Sequence, residues 1–120
     1  MSKILVVDDS PSEMARFKEI LTKHGHEIVE ANNGVEGCQM ASEHLPDVIL
    51  MDIVMPEMNG FQATRKITRE KATAHIPVVI VSTKNQETDR VWGKRQGAKE
   101  YLTKPIDEDE LLRVLQTVLG

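Results

Sequence analysis

Five short apolar segments recur along the chain and predict five β-strands. Two of them, "ILVV" and "PVVIV", consist of consecutive apolar residues without polar alternation. Uninterrupted runs rich in β-branched residues are typical of strands that are covered on both faces, as in parallel sheets. The predicted strands are Lys3–Val7, Glu27–Ala31, Val48–Met51, Val78–Val81 and Glu100–Thr103.

Amphipathic helical patterns separate these segments. The first, "SPSEMARFKEILTKHG", has Ser10 at a capping position and Pro11 at the first helical position, both typical of a helix N-terminus. Similar patterns follow in "NGVEGCQMASEHLP", "GFQATRKITRE" and "DEDELLRVLQTVLG". The residues predicted to form their buried faces are Met14, Phe17, Leu21, Val35, Cys38, Ala41, Phe61, Thr64, Ile67, Leu111, Leu112, Leu115, Val118 and Leu119.

The fourth helical pattern, from Gln86 to Gln96, differs from the others. Val91 and Trp92 are its only large apolar residues, and Gly93 lies in its middle. Such a narrow apolar stripe predicts light packing, so that the helix either shifts readily or presents a polar face to a partner. A marginal surface helix without a special role is an equally good interpretation of the pattern.

Strands and helices therefore alternate five times with short connections. Strict alternation favours an α/β fold of the doubly wound type, in which helices cover both faces of a five-stranded parallel sheet. In such sheets, ligands bind beyond the carboxyl ends of the strands. Candidate chemistry should therefore follow each strand directly.

Polar side chains do follow four of the five strands. Asp8 and Asp9 follow the first strand, Asp52 the third, Ser82 the fourth and Lys104 the fifth. Each has an ordinary alternative explanation, since the acids or Ser10 can cap a helix and a lysine can be a solvated loop charge. Their convergence on one edge of the sheet is harder to explain in that way and predicts a site.

Three neighbouring carboxylates repel one another, and a divalent cation cancels that repulsion. Mg²⁺ prefers oxygen ligands and commonly binds one or two carboxylates together with a phosphate oxygen. Ser82 and Lys104 suit the stabilisation of phosphoryl oxygens. Asp52 stands alone at its strand end, which makes it the candidate nucleophile for a covalent aspartyl-phosphate.

The composition narrows the class of partners. The chain has 120 residues, enough for one domain, and a formal net charge of −4 from 15 basic and 19 acidic side chains. This balance argues against nucleic acid as a partner. No apolar run has the length of a membrane span, and the N-terminus does not resemble a signal peptide. Cys38, the single cysteine, excludes an internal disulfide, and a cytoplasmic location is expected.

These residues, in this order and spacing, resemble the response-regulator receiver family, and the resemblance spans the whole chain. Its elements are Asp8-Asp9, "MDIVMPEMNG" around Asp52, Ser82, and Tyr101 three residues before Lys104-Pro105. The resemblance implies a CheY-like, flavodoxin-like sheet of order 2-1-3-4-5 with five helices. It also implies a single receiver domain over residues 1–120, without an output domain.

The resemblance further implies a role for each site residue. Asp52 would accept a phosphoryl group from a histidine kinase, and Ser82 and Lys104 would assist. Mg²⁺ would be held by Asp8, Asp9, Asp52 and the backbone carbonyl of Val54. Ser82 and Tyr101 would be the switch pair, with Tyr101 turning inward on phosphorylation, and the Lys104–Pro105 bond would be cis. Helix 4, strand 5 and helix 5 would form the surface for a downstream protein target.

A narrower resemblance lies in "VMPEMNGFQATR" and "STKNQETDRVWGKRQGAKEYLTKP". These segments are similar to single-domain regulators of the chemotaxis-like systems that control type IV pili and twitching motility. The partner implied is a CheA-like hybrid histidine kinase with phosphotransfer domains. Which of two sister regulators of such a system the chain represents stays open, as does its action through a target or as a phosphate sink for the sister.

Departures from the commonest receiver pattern and their consequences concern four positions. Ser82 stands where threonine is more frequent, and Thr83 stands where a smaller residue is usual, which predicts narrower access to Asp52. Val54 and Lys84, two residues beyond Asp52 and Ser82, flank the expected path of attacking water. Val54 has no group that orients water, so it should contribute little to hydrolysis of the aspartyl-phosphate.

The main interpretation is a phosphorylated switch that has no further enzymatic activity. Two other functions are alternatives to it. The first is a Mg²⁺-dependent phosphatase with an aspartyl nucleophile. Such enzymes resemble one another in having a second aspartate two residues after the nucleophile, whereas this chain has Val54 two residues after Asp52. A nucleotide- or flavin-binding module should have a glycine-rich first loop. The loop here reads "DDSPSE", which is acidic and without glycine.

Overall fold

The sheet has five parallel strands, and their order explains which strand ends become neighbours. The structure, a computed structural model, describes residues 2–120. The strands are β1 (Lys3–Val7), β2 (Glu27–Ala31), β3 (Val48–Met51), β4 (Val78–Ser82) and β5 (Glu100–Thr103). Their order in the sheet is β2-β1-β3-β4-β5, which confirms the predicted doubly wound, flavodoxin-like topology.

Five helices connect the strands and cover both faces of the sheet. They are α1 (Pro11–Lys23), α2 (Gly34–His44), α3 (Gly60–Arg69), α4 (Glu87–Arg95) and α5 (Glu108–Leu119). Within residues 2–120, none of them combines the length and the apolar composition that crossing a membrane requires.

The uninterrupted apolar strands supply two cores at once. Along β1, Ile4 and Val6 point into a core that is closed by α1 and α5, whereas Leu5 and Val7 point into a second core beneath α2 and α3. Because successive side chains of a strand alternate between faces, an all-apolar strand is what a sheet covered on both faces requires. The prediction from the "ILVV" pattern is confirmed.

Several details of the helical faces differ from the sequence prediction. Val35, predicted to be buried, is 41% exposed, because glycines occupy the inner positions of α2. A Cβ atom on Gly37 would lie 3.0 Å from the Val7 side chain, so the helix approaches the sheet more closely than a valine face permits. On α5, Leu111 and Leu115 are buried, but Leu112, Val118 and Leu119 are only partly buried.

The fourth helix is lightly packed, as its sequence predicts. Val91 and Trp92 are 48% and 47% exposed, and the buried residue of α4 is Gly93. Gly93 faces Ile80 of β4 and the ring of Tyr101 on β5. The helix therefore rests on the sheet through a glycine and not through large apolar side chains.

Candidate functional site

Three carboxylates meet at the carboxyl edge of the sheet because β1 and β3 are adjacent. Val7 and Met51 are paired residues at the ends of these strands, and the Asp52 amide donates to the Val7 carbonyl at 2.9 Å. One carboxylate oxygen from each of Asp8, Asp9 and Asp52 lies within 4.8 Å of the other two. Such hard oxygen donors suit a divalent cation such as Mg²⁺.

The sharp entry into α1 fixes the first of these acids. The Oδ1 atom of Asp8 accepts from the Ser10 amide at 2.9 Å, and the Ser10 hydroxyl accepts from the Glu13 amide at the helix N-terminus. Ser10 is therefore the cap of α1, as predicted, and Asp8 holds the turn that precedes it. Asp8 is 1% exposed, whereas the neighbouring Asp9 is exposed to solvent.

Lys104 supplies the opposing charge. Its Nζ atom lies 2.7 Å from Asp8 Oδ2 and 3.6 Å from Asp52 Oδ1. The Lys104 amide donates to the Ser82 carbonyl at 2.9 Å, and the Lys104–Pro105 peptide bond is cis, as predicted. Burial lowers the pKa of Lys104, but the hydrogen bond to Asp8 and the charge of Asp52 outweigh it and leave the pKa raised. The lysine is therefore a permanent cation.

Asp52 is the carboxylate with the strongly perturbed titration. It is 8% exposed, and burial raises its pKa to about 6 against the attraction of Lys104. The charges of Asp8 and, to a smaller extent, Asp9 add to this rise. Asp52 is thus a desolvated carboxylate in a crowded anionic environment, which a bound cation would relieve.

Ser82 and Tyr101 are connected through one backbone residue. Ser82 is fully buried at the end of β4, and its hydroxyl accepts from the Lys84 amide at 3.2 Å. The Tyr101 hydroxyl donates to the Lys84 carbonyl. Tyr101 is 6% exposed, and burial is the main cause that raises its pKa to about 12. The ring lies in the inward position that the sequence prediction assigned to the phosphorylated state.

The loop after β3 leaves the edge of the site open. Val54 is 58% exposed, and Thr83 and Lys84 are exposed on the neighbouring loop after β4. None of these side chains closes over the acidic cluster as a buried residue would. These three exposed side chains therefore border the solvent-facing side of the site.

Two residues that shape the site were not predicted from the sequence. Gly60, the first residue of α3, approaches the Asp52 backbone so closely that a Cβ atom would lie 1.9 Å from the Asp52 carbonyl oxygen. The sequence signal for this turn is the capping box of α3, formed by Asn59 and Gln62. The second is Arg90 of α4, whose guanidinium reaches the β5 residues Tyr101 and Thr103.

Comparison with known proteins identifies the family to which this domain belongs. Residues 4–116 match the family model of the response regulator receiver domain. The chain is 58% identical over 120 residues to protein PilH of Pseudomonas aeruginosa, a match that covers 100% of this chain and 99% of PilH. The resemblance to the receiver family that the sequence suggested is confirmed.

Solved structures agree in fold. The chemotaxis protein CheY4 of Vibrio cholerae is 33% identical with a TM-score of 0.93, and the match covers 99% of both chains. The receiver domain of a Pseudomonas aeruginosa sensor histidine kinase is 28% identical with a TM-score of 0.92, covering 99% of this chain and 98% of that one. That second structure has a magnesium ion coordinated in its active-site cleft.

Proposed function

Because the chain belongs to the response regulator receiver family, we propose that it is a phosphoacceptor switch whose Asp52 takes a phosphoryl group from a histidine kinase. The observation that carries the proposal is the cluster of Asp8, Asp9 and Asp52 with the Lys104 ammonium against it. A purely structural role does not explain why three acids converge at an open edge.

The transfer is a displacement at phosphorus. A carboxylate oxygen of Asp52 attacks the phosphorus of a phosphohistidine, the new O–P bond forms, and the P–N bond to the imidazole breaks. The departing imidazole takes up a proton from solvent. Lys104 Nζ, 3.6 Å from Asp52 Oδ1, is placed to neutralise one of the phosphoryl oxygens, and the Ser82 hydroxyl is the proposed donor to another.

Mg²⁺ is the proposed cofactor, and the donor set fits it. Asp8, Asp9, Asp52 and the Val54 backbone carbonyl would hold the ion, directly or through water. When bound, the ion would neutralise charge that develops on the phosphoryl oxygens. The magnesium ion in the related kinase receiver supports this choice.

The Asp9→Asn variant should bind Mg²⁺ roughly tenfold more weakly, because one of three anionic ligands becomes neutral. Asp9 suits this test because it is exposed and, unlike Asp8, is not paired with Lys104. Isothermal titration calorimetry gives the affinity directly. Asp109→Asn, which neutralises an exposed acid in the first turn of α5, is the matched control. Equal affinities of the two variants would remove Asp9 from the metal site.

The Val54→Asn variant should lose its phosphoryl group several-fold faster than the wild type. Val54 lies 58% exposed at the open edge and presents only methyl groups to the approaching water, whereas an amide can orient that water. The measurement is the decay of phosphorylated protein after the donor is removed. Val54→Leu, which has nearly the size and branching of asparagine but no polar atom, shows how much of the change comes from bulk alone. A slower or unchanged decay for Val54→Asn contradicts this role.

The proposed output follows from the Ser82–Lys84–Tyr101 connection. A phosphoryl group that draws the Ser82 hydroxyl toward it favours the inward position of Tyr101, so phosphorylation shifts a population that already includes this orientation. The surface that senses the change is formed by α4, β5 and α5, where a downstream protein target would bind.

The similarity to PilH supports a particular setting. We propose a chemotaxis-like system in the cytoplasm that controls type IV pili, with a CheA-like hybrid kinase whose phosphotransfer domains donate the phosphoryl group. The match covers 99% of PilH, so that relative has almost the same length as the segment matched here. Action on a target and action as a phosphate sink remain two forms of this proposal. The sink form requires that Asp52→Asn raise the phosphate on a sister regulator.

The decisive experiment is transfer from a phosphorylated phosphotransfer domain to this chain in the presence of Mg²⁺. Mass spectrometry after trapping of the acyl phosphate should locate the modification at Asp52. Modification elsewhere, or no transfer from any histidine-phosphate donor, contradicts the proposal. The phosphatase alternative is not supported, since the position two residues after Asp52 is Val54, which has no acid–base group. It would require steady turnover of a phosphomonoester.

A further inference from the structure

Arg90 joins α4 to β5 through three contacts with two residues. Its guanidinium donates through Nη1 to the Tyr101 carbonyl at 3.3 Å and through Nη2 to the Thr103 hydroxyl at 2.8 Å. Its Cζ atom also lies 5.1 Å from the centroid of the Tyr101 ring, within the range of a cation–π interaction. The arginine side chain therefore lies over the ring and is anchored on both sides of Leu102.

The ring that Arg90 covers is held inward by its other contacts. The Tyr101 hydroxyl donates to the Lys84 carbonyl, and the face of α4 toward the ring is Gly93, where a Cβ atom would lie 3.2 Å from ring carbon Cδ2. A glycine at this position leaves room for the ring beneath the helix. Arg90 is consequently the side chain of α4 that covers the ring while Gly93 makes space for it.

Few other contacts fix α4. Its large apolar residues, Val91 and Trp92, are about half exposed, so burial contributes little to its attachment. The end of α4 is held by the Thr68 hydroxyl of α3, which donates to the Gln96 carbonyl at 2.8 Å. Along the side toward β5, Arg90 provides the specific contacts. A helix held in this way responds to the loss of a single polar anchor.

We infer that Arg90 is a positioning residue of the switch, which holds Tyr101 inward and couples the orientation of that ring to the position of α4. The guanidinium is suited to this task because its planar fork can donate to two acceptors while its face covers an aromatic ring. When the ring leaves the inward position, the cation–π contact is lost, and α4 keeps only the two hydrogen bonds of Arg90 to β5. The orientation of the Tyr101 ring therefore changes how firmly Arg90 attaches α4 to β5.

Tyr101 is the only tyrosine of the chain, so 3-fluorotyrosine incorporation gives a single ¹⁹F resonance from this ring. The change of its shift between H₂O and D₂O reports how much solvent reaches the ring. In Arg90→Ala the outward population should rise roughly two- to fivefold, because the cation–π contact is the interaction of Arg90 that depends on the ring orientation. The isotope shift should increase accordingly.

Matched variants separate this role from a general effect on α4. Arg95→Ala removes the same side chain from the exposed side of α4 and should leave the isotope shift unchanged. Arg90→Lys should lie between wild type and Arg90→Ala, because an ammonium can cover the ring but cannot form the fork. Thr103→Val removes one acceptor and should show a smaller change in the same direction, which keeps the test valid if Arg90→Ala does not fold. An unchanged isotope shift in Arg90→Ala and in Thr103→Val overturns the inference.

A second measurement addresses the switch itself, and this part rests on the proposed function. Beryllofluoride with Mg²⁺ serves as the phosphoryl analogue, and its binding is followed by the same ¹⁹F resonance. By linkage, Arg90→Ala should weaken beryllofluoride binding by up to roughly fivefold, and Arg95→Ala should not. Failure of the wild type to bind beryllofluoride contradicts the phosphoacceptor proposal, whereas normal binding with equal affinity in Arg90→Ala contradicts the coupling through Arg90.

Discussion

Replacing Asp52 by asparagine is expected to abolish phosphorylation and to leave the fold intact. The amide has the shape of the carboxylate but lacks the anionic oxygen that attacks phosphorus. Labelling with phosphoramidate and Mg²⁺, followed by intact-mass measurement, should add the mass of one phosphoryl group to wild type and none to Asp52→Asn, and the narrower access past Thr83 should make this labelling slow. Asp109→Asn, which removes an exposed acid from the first turn of α5, should be labelled like the wild type.

The geometry explains why Asp52 is expected to react and Asp8 is not. Both oxygens of Asp8 are engaged, one by the Ser10 amide at 2.9 Å and the other by Lys104 at 2.7 Å. The contact of Asp52 with Lys104 is longer, at 3.6 Å, which is a weaker constraint on the attacking oxygen. Residual labelling of Asp52→Asn that peptide mass spectrometry locates at Asp8 or Asp9 would contradict this assignment.

The sheet and the edge that carries the site could be predicted because both depend on local sequence and simple topology. Uninterrupted apolar runs are needed wherever a strand is covered on both faces, and the "ILVV" and "PVVIV" segments meet that need. The alternation of strands and helices then places every carboxyl end at one edge. Asp8, Asp9 and Asp52 meet there as predicted.

The parts that escaped prediction depend on contacts between distant segments. Val35 has the spacing of a buried helix residue, yet it is 41% exposed, because the α2 face that packs closely against Val7 of the sheet is the one that carries Gly37. Nothing in the segment around Arg90 indicates that its partners lie on β5, more than ten residues away. The inward position of Tyr101 likewise depends on the backbone of Lys84, which periodicity does not reveal.

Asp52→Asn should also make the metal-free protein more stable than wild type at neutral pH. Burial raises the pKa of Asp52 from the usual 3.8 to about 6, with the opposing attraction of Lys104 already included. Since the folded pKa lies above the unfolded one, folding disfavours the ionised form, and wild type loses stability as the pH rises from about 4 to about 6. At about 1.4 kcal/mol for each pKa unit, the loss reaches about 3 kcal/mol.

Asp52→Asn has no ionised form to disfavour, so its gain in unfolding free energy over wild type should be about 2 to 3 kcal/mol at pH 7 and small at pH 4. Urea unfolding in the presence of a chelator measures this difference, with Asp109→Asn as the control that should show no comparable gain. Added Mg²⁺ should narrow the gap, because it stabilises the folded wild type by binding the carboxylates that repel one another.

A variant that is no more stable than wild type at pH 7 would show that Lys104 already compensates the charge of Asp52. A gain that persists at pH 4 would trace the effect to packing. The expected pH-dependent gain instead means that the fold tolerates an unfavourable carboxylate at Asp52, the position where phosphoryl chemistry requires one.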